Sequence, residues 1–163
     1  MLKTLKLLCA VLAISISTSA LADDILLTVS GDVGANGDKD TWTFDRKALE
    51  ALASRSIDTT TIWTEGTQNF EGVSLDVLLN HVQAKEGTIR AVALNDYAVT
   101  IPTSDATEDG PIVAYFRDGK TMSVRDKGPL WIIYPYDANE AYQSEEIYAR
   151  SIWQLNRLEV VAQ

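Results

Sequence analysis

The chain predicts an α+β fold, because alternating or β-branched stretches outnumber helical ones and the two kinds are interspersed. The regular strand–helix alternation of a doubly wound sheet is missing, and Gly- and Asp-rich turns separate the elements. Ahead of the first strand stands a segment of another kind. Lys3 and Lys6 precede an apolar run over 7–16 and then small residues ending at Ala22, the order of a secretory signal peptide. Residues 1–22 are therefore expected to be cleaved and the protein exported, since the run falls short of the roughly 20 residues a membrane span needs. The mature chain, from Asp23, is expected to form one domain over 23–163.

Residues 25–30 alternate and predict a first strand, followed by the turn-rich "GDVGANGDKD" and a second strand over 41–44, a hairpin. That turn places Asp32, Asn36 and Gly37 as a calcium loop would, but Gly34 fills its third place and Thr43 its twelfth. Without the bidentate acid it reads as a plain turn. Asp45 is suited to cap a short helix carrying Ala48, Leu49 and Leu52, and the β-branched run over 57–64 predicts a strand. Leu75, Leu78, Leu79 and Val82 fall on one helical face. Strands are expected over 88–94, 97–101, 111–116 and 121–124, with Asp118-Gly119 turning the last pair. Strands over 130–134 and 153–161, and a short helix over 145–149, complete the set.

Without Lys3 and Lys6 the mature chain carries 12 basic against 23 acidic residues, a net charge of −11. Such a surface repels nucleic acid and anionic lipid. The one cysteine, Cys9, lies in the signal peptide, which removes disulfides, thiolate catalysis and cysteine metal sites from the mature protein. His81 is the one histidine and is expected as a partly buried residue of the Leu75 helix. No G-x-S-x-G, Walker, H-E-x-x-H or G-x-G-x-x-G motif occurs. Asp96, Asp105, Asp109 and Glu145 read as solvated surface acids. What stands out is aromatic: Trp63, Phe70, Tyr97, Tyr115, Trp131, Tyr134, Tyr136, Tyr142, Tyr148 and Trp153. Most of these are expected in the core. Trp131 and Tyr97 each follow a turn and are expected to present a ring at a strand mouth.

"FEGVSLDVLL" (70–79), "NDYAVTIP" (95–102), "FRDGKTMS" (116–123), "KGPLWIIYP" (127–135) and "SIWQLNRLEV" (151–160) come in the order of a known pattern. Over residues 24–161 the chain resembles the molybdopterin-binding domain of sulfite oxidase-like oxidoreductases. The resemblance implies mixed sheets in layers with a few short helices, and a pterin-dithiolene holding molybdenum with a protein cysteine as a further ligand. The segment from which that cysteine comes is here "TTTIWTEGTQN" (59–69), and it has none. Trp131 stands where an Arg often follows the Gly-Pro step, and Ile152 where a Lys often precedes the Trp. The leader has no twin arginine, which fits export of an unfolded, cofactor-free chain rather than one loaded with the molybdenum cofactor in the cytoplasm.

The chain is more similar to a small, exported, cysteine-free branch whose members bind simple pterins in the periplasm and regulate a membrane-bound enzyme of cyclic-di-GMP turnover, hence biofilm formation. That likeness implies a non-catalytic periplasmic pterin-binding protein whose partner is the periplasmic domain of an inner-membrane signalling protein. It implies a pterin stacked on Trp131, with Gly128 and Pro129 fixing the approach and Tyr97 as the opposite wall or a hydroxyl contact. Asp96, Glu65 and Asp137 are the candidate acceptors for the pterin amino and ring N–H groups, and Arg150 the candidate donor to its carbonyl. The alternatives are a molybdopterin-dependent oxidoreductase of sulfite oxidase type and a periplasmic adaptor with a vestigial pocket.

Overall fold

Two sheets carry the chain, and the computed structural model describes them over residues 24–37 and 40–163. The expected signal peptide at 1–22 lies outside the described residues, as do Asp38 and Lys39 of the first turn. β1 (Leu27–Gly31) and β2 (Thr41–Phe44) pair antiparallel as the hairpin requires. Asp45 then caps α1 (Arg46–Glu50) by accepting the Ala48 N–H at 2.7 Å, satisfying one of the donors a helix start leaves open.

The next strand differs from the sequence expectation over 57–64. β3 (Ser54–Thr59) starts three residues earlier and stops at Thr59, and the chain over 60–67 turns away. The cause is side-chain hydrogen bonding that competes with the ladder. Asp137 accepts from the Thr60 N–H at 2.6 Å and from the Thr60 hydroxyl at 2.7 Å, and the Thr61 hydroxyl accepts from the Trp63 N–H at 3.1 Å. β4 (Gln68–Ser74) follows, a strand that the Glu71-Gly72 step conceals in the sequence. Gly72 is required there, because a Cβ would collide with the Val113 carbonyl of the neighbouring strand. α2 (Leu75–His81) buries the predicted Leu75, Leu78 and Leu79, with Val82 at its end.

β5 (Gly87–Ala93), β6 (Ala98–Pro102) and β7 (Ile112–Arg117) match the expected strands to within a residue or so. β8 is only Lys120–Thr121, since Ser123 caps a 3₁₀ turn at Val124–Asp126 where the strand was expected to continue. β9 (Trp131–Ile133), α3 (Glu145–Arg150), capped by Ser144, and β10 (Leu155–Ala162) end the chain. One sheet runs β2-β1-β10-β5-β6, parallel only between β1 and β10. The other runs β3-β4-β7, with β8 and β9 both pairing on the free side of β7. The result is mixed sheets with a few short helices, an α+β fold.

What joins the sheets also positions the site. Ile132 N–H donates to the Ile152 carbonyl and Leu155 N–H to the Leu130 carbonyl, both at 2.9 Å, and Trp131 and Trp153 form an antiparallel bridge. β9 of one sheet is thereby stitched to the chain entering β10 of the other. A continuous cluster of buried apolar residues from Leu27 to Val160 fills the space between them. Each large aliphatic or aromatic side chain in it contributes on the order of 1.5–3 kcal/mol of transfer free energy, opposed by conformational entropy. No helix among the described residues is long and apolar enough to cross a membrane.

Candidate functional site: an aromatic pocket at the sheet junction

Where the two sheets are stitched, three segments leave a pocket of about 430 Å³. The 60–67 loop brings Trp63, the β5–β6 turn brings Asn95 and Tyr97, and the end of α3 with its continuation brings Tyr148, Ser151, Ile152, Trp153 and Gln154. The lining is mostly apolar, and volume and lining together are those of a small-molecule site. A second, more open hollow of about 590 Å³, bounded by Asp76, Asn80, Lys85, Thr103 and Gln163, has no aromatic wall to hold a flat ligand.

The ring geometry is ordered. Trp63 meets Trp153 at 5.7 Å between centroids with planes at 72°, and Tyr148 at 5.8 Å and 85°. These are edge-to-face contacts, in which the edge of one ring meets the face of the other and the rings fix one another's orientation. Tyr97, 58 % exposed, and Trp153, 36 % exposed, stand at the opening. Tyr97 is placed by a tight turn in which Asp96 takes a left-handed conformation (φ 63°), Asp96 N–H donates to the Ala93 carbonyl at 3.0 Å and Asn95 Oδ1 accepts the Tyr97 N–H at 3.2 Å.

Beneath Trp63 lies a second aromatic layer. Trp131 packs edge-on to Trp63 at 5.7 Å and to Phe70 at 5.5 Å, and its indole N–H donates to the Ser151 carbonyl at 3.1 Å. The Tyr136 hydroxyl donates to the Ser151 hydroxyl at 2.6 Å, which in turn donates to the Ile147 carbonyl at 2.8 Å. Burial pushes the Tyr136 phenol up to about 12, so it remains a donor at neutral pH. This network holds the end of α3, and with it Tyr148, against the pocket floor.

Of the residues singled out from the sequence, Tyr97 alone lines the pocket. Trp131 requires a correction: its exposure is 0 %, so it supports the floor and offers no face to a ligand. Strand β9 lies between β7 and the chain entering β10, which is why the expected strand-mouth position is interior. Gly128 and Pro129, joined by a cis peptide, also sit outside the lining. Gly128 is packed so closely on Met122 that a Cβ would strike its carbonyl. Asp96 stays outside the lining and ion-pairs with Arg157 at 2.8 Å. Asp137 is held by Thr60, whose N–H and hydroxyl keep its carboxyl below the usual range. Glu65 is exposed on the 60–67 loop, outside the lining, where its carbonyl accepts from the Gln68 amide at 3.0 Å. Arg150 points to Asp105 at 2.9 Å and to Glu146, anchoring α3 rather than facing the pocket. His81 is exposed on α2, edge-on to Trp42 at 5.1 Å, and is not part of the site.

Trp63, Tyr148, Trp153, Asn95 and Gln154 are among the lining residues that sequence reasoning did not select. The three aromatics belonged to the inventory, and only tertiary structure separates them from core rings. Asn95 and Gln154 supply side-chain amides, each with donors and an acceptor for a ligand edge. Gln154 holds a left-handed conformation (φ 54°), and its amide N–H donates to the Val124 carbonyl at 2.8 Å, so its side-chain oxygen keeps accepting capacity.

The architecture has a counterpart among solved structures. The chain is similar to the sulfane dehydrogenase SoxCD from Paracoccus pantotrophus. The likeness has a TM-score of 0.62 at 16% identity and covers 84% of this chain and 38% of that one. The chain thus spans well under half the length of that neighbour, and at this identity the likeness shows a distantly shared fold. No sequence-family model matches the chain, and no curated protein matches it by sequence.

Proposed function

We propose that residues 23–163 act as one exported, non-catalytic domain that binds a free pterin in the aromatic pocket between the sheets. The observation that carries this reading is the pocket itself: about 430 Å³, bounded by Trp63, Tyr97, Tyr148 and Trp153, with Asn95 and Gln154 also in its lining. A fused, hydrogen-bonding heterocycle matches that lining, since stacking on an aromatic side chain contributes on the order of 1–3 kcal/mol and amides add direction. Stacking moves from Trp131, as first expected, to Trp153 and Tyr97. The resemblance to periplasmic pterin-binding regulators supports the remainder of the proposal. Ligand state is passed to the periplasmic domain of a membrane-bound enzyme of cyclic-di-GMP turnover, to which the mature charge of −11 would present an acidic surface.

The fold likeness to a sulfane dehydrogenase favours a second reading, a molybdopterin-dependent oxidoreductase. The residues present do not fit that cofactor. No cysteine follows Cys9, and the loop from which the family's thiolate would come contributes Trp63 to the pocket instead. Calorimetric titration of the purified protein with tetrahydropterin and oxidised pterin, alongside molybdenum analysis, separates the readings. Saturable pterin binding by metal-free protein is expected. Stoichiometric molybdenum, or no heat with either pterin, would overturn the proposal.

A further inference from the structure

An aromatic cage of two indoles and two phenols is also what recognises quaternary ammonium ions, whose charge is drawn to ring faces. On an acidic protein such a cage would be expected to collect cations. One residue argues the other way. The Lys127 ammonium lies over the Trp153 ring at 4.5 Å from its centroid and 5.7 Å from that of Trp131. Its backbone is fixed in a left-handed conformation (φ 72°), and its carbonyl accepts the Gln154 N–H at 3.0 Å. Among the described residues no carboxylate forms an ion pair with it, whereas Arg150 and Arg157 are both paired.

Lys127 is not itself among the residues that line the pocket, whereas Trp153, whose ring its ammonium covers, is. A cation against one side of an indole already draws on the ring's negative quadrupole. A second cation brought to the same ring gains less attraction and meets like-charge repulsion. An uncharged ring is unaffected by that repulsion, and an anionic substituent is attracted by an ammonium that has no carboxylate partner among the described residues.

Resting on the aromatic-pocket reading, we propose that Lys127 makes the site selective for neutral or anionic planar heterocycles and excludes cationic ones. The deciding feature is the Lys127 ammonium seated on Trp153, which has no carboxylate partner among the described residues. Lys127 acts through that ring as a specificity-determining residue.

The test is calorimetric titration of wild type, Lys127→Met and Lys127→Arg with pterin, pterin-6-carboxylate and N-methylquinolinium, each protein checked by thermal melting. Methionine keeps the length and packs on aromatic rings without the charge, and arginine keeps the charge. In wild type the carboxylate should bind about fivefold tighter than pterin and the quinolinium most weakly. Lys127→Met should bring pterin and its carboxylate within about twofold of each other and strengthen the quinolinium about fivefold. Lys127→Arg should preserve the wild-type order. The same order in wild type and Lys127→Met, or quinolinium as the best wild-type ligand, overturns the inference while leaving pterin binding in place. Failure of all three probes to bind wild type removes the pocket reading and this inference together.

Discussion

Replacing Trp131 with alanine separates a core role from a ligand-contact role. The indole is fully buried, sits edge-on to Trp63, Phe70 and Trp153, and gives its N–H to the Ser151 carbonyl at 3.1 Å. Truncating a buried Trp costs about 3–5 kcal/mol. The upper half of that range is expected here, because the Ser151 carbonyl loses a donor worth about 1 kcal/mol and Trp63 loses the ring beneath it. Against a total stability of about 5–15 kcal/mol this is a large fraction, and it corresponds to a fall in Tm on the order of 10–15 °C. Trp153→Ala, at a position 36 % exposed, should instead cost about 1 kcal/mol of stability, including its contact with Lys127. It should weaken pterin binding roughly tenfold or more. Thermal melts and calorimetric titrations of both variants check the pair. A Trp131→Ala protein melting within about 3 °C of wild type would refute the assignment of Trp131 to the floor.

Three other outcomes follow from the same geometry. Gly128→Ala should prevent native packing, since the added carbon strikes the Met122 carbonyl, and soluble yield with near-ultraviolet circular dichroism would show it. Asp137 is held below its ordinary 3.8 by the Thr60 N–H and hydroxyl, so its contribution is present above that pH and lost as pH falls through the folded-state value. Asp137→Asn should therefore flatten the acid limb of stability below about pH 4 in urea titrations, without changing the preference among pterins. Tyr136 has the opposite sign: raised from 10.0 to about 12 by burial, it contributes stability below pH 10 that is lost as pH rises toward its folded-state value. Tyr136→Phe should start less stable, because the Ser151 hydroxyl loses its donor, and should then lose less stability than wild type between pH 9 and about 11.

Strand positions were legible where burial alternates, as along β1, and where β-branched residues run together, as along β5, and the Asp45 cap and the Leu75 face were legible from spacing alone. The end of β3 was not, because it depends on Asp137, which lies 77 residues away in sequence. β4 was hidden because Gly72 breaks the alternation, and only the closeness of the Val113 carbonyl explains that glycine. In the site, Tyr97 was legible from its turn. Trp131 was misplaced because a ring after Gly-Pro looks identical in sequence whether the strand it starts is at a rim or between two others. Trp153, two positions before β10, reads as part of a strand, and only the stitching of β9 to 152–155 brings it to the opening. Two of the three candidate carboxylates failed for a common reason: Asp96 and Asp137 each have a partner contributed by a distant segment, which no local pattern reveals.

The most direct measurement of the central claim uses the four tryptophans as internal probes. Their indole N–H resonances in a two-dimensional nitrogen–proton spectrum, assigned by single Trp→Phe variants, would be followed as pterin is added. Trp63 and Trp153 line the pocket, Trp131 lies one layer beneath, and Trp42 gives its N–H to the Gly34 carbonyl outside the lining. The account predicts the largest shifts at Trp63 and Trp153, a smaller one at Trp131 and none at Trp42. Shifts confined to Trp42, or four unmoved resonances at saturating pterin, would contradict it.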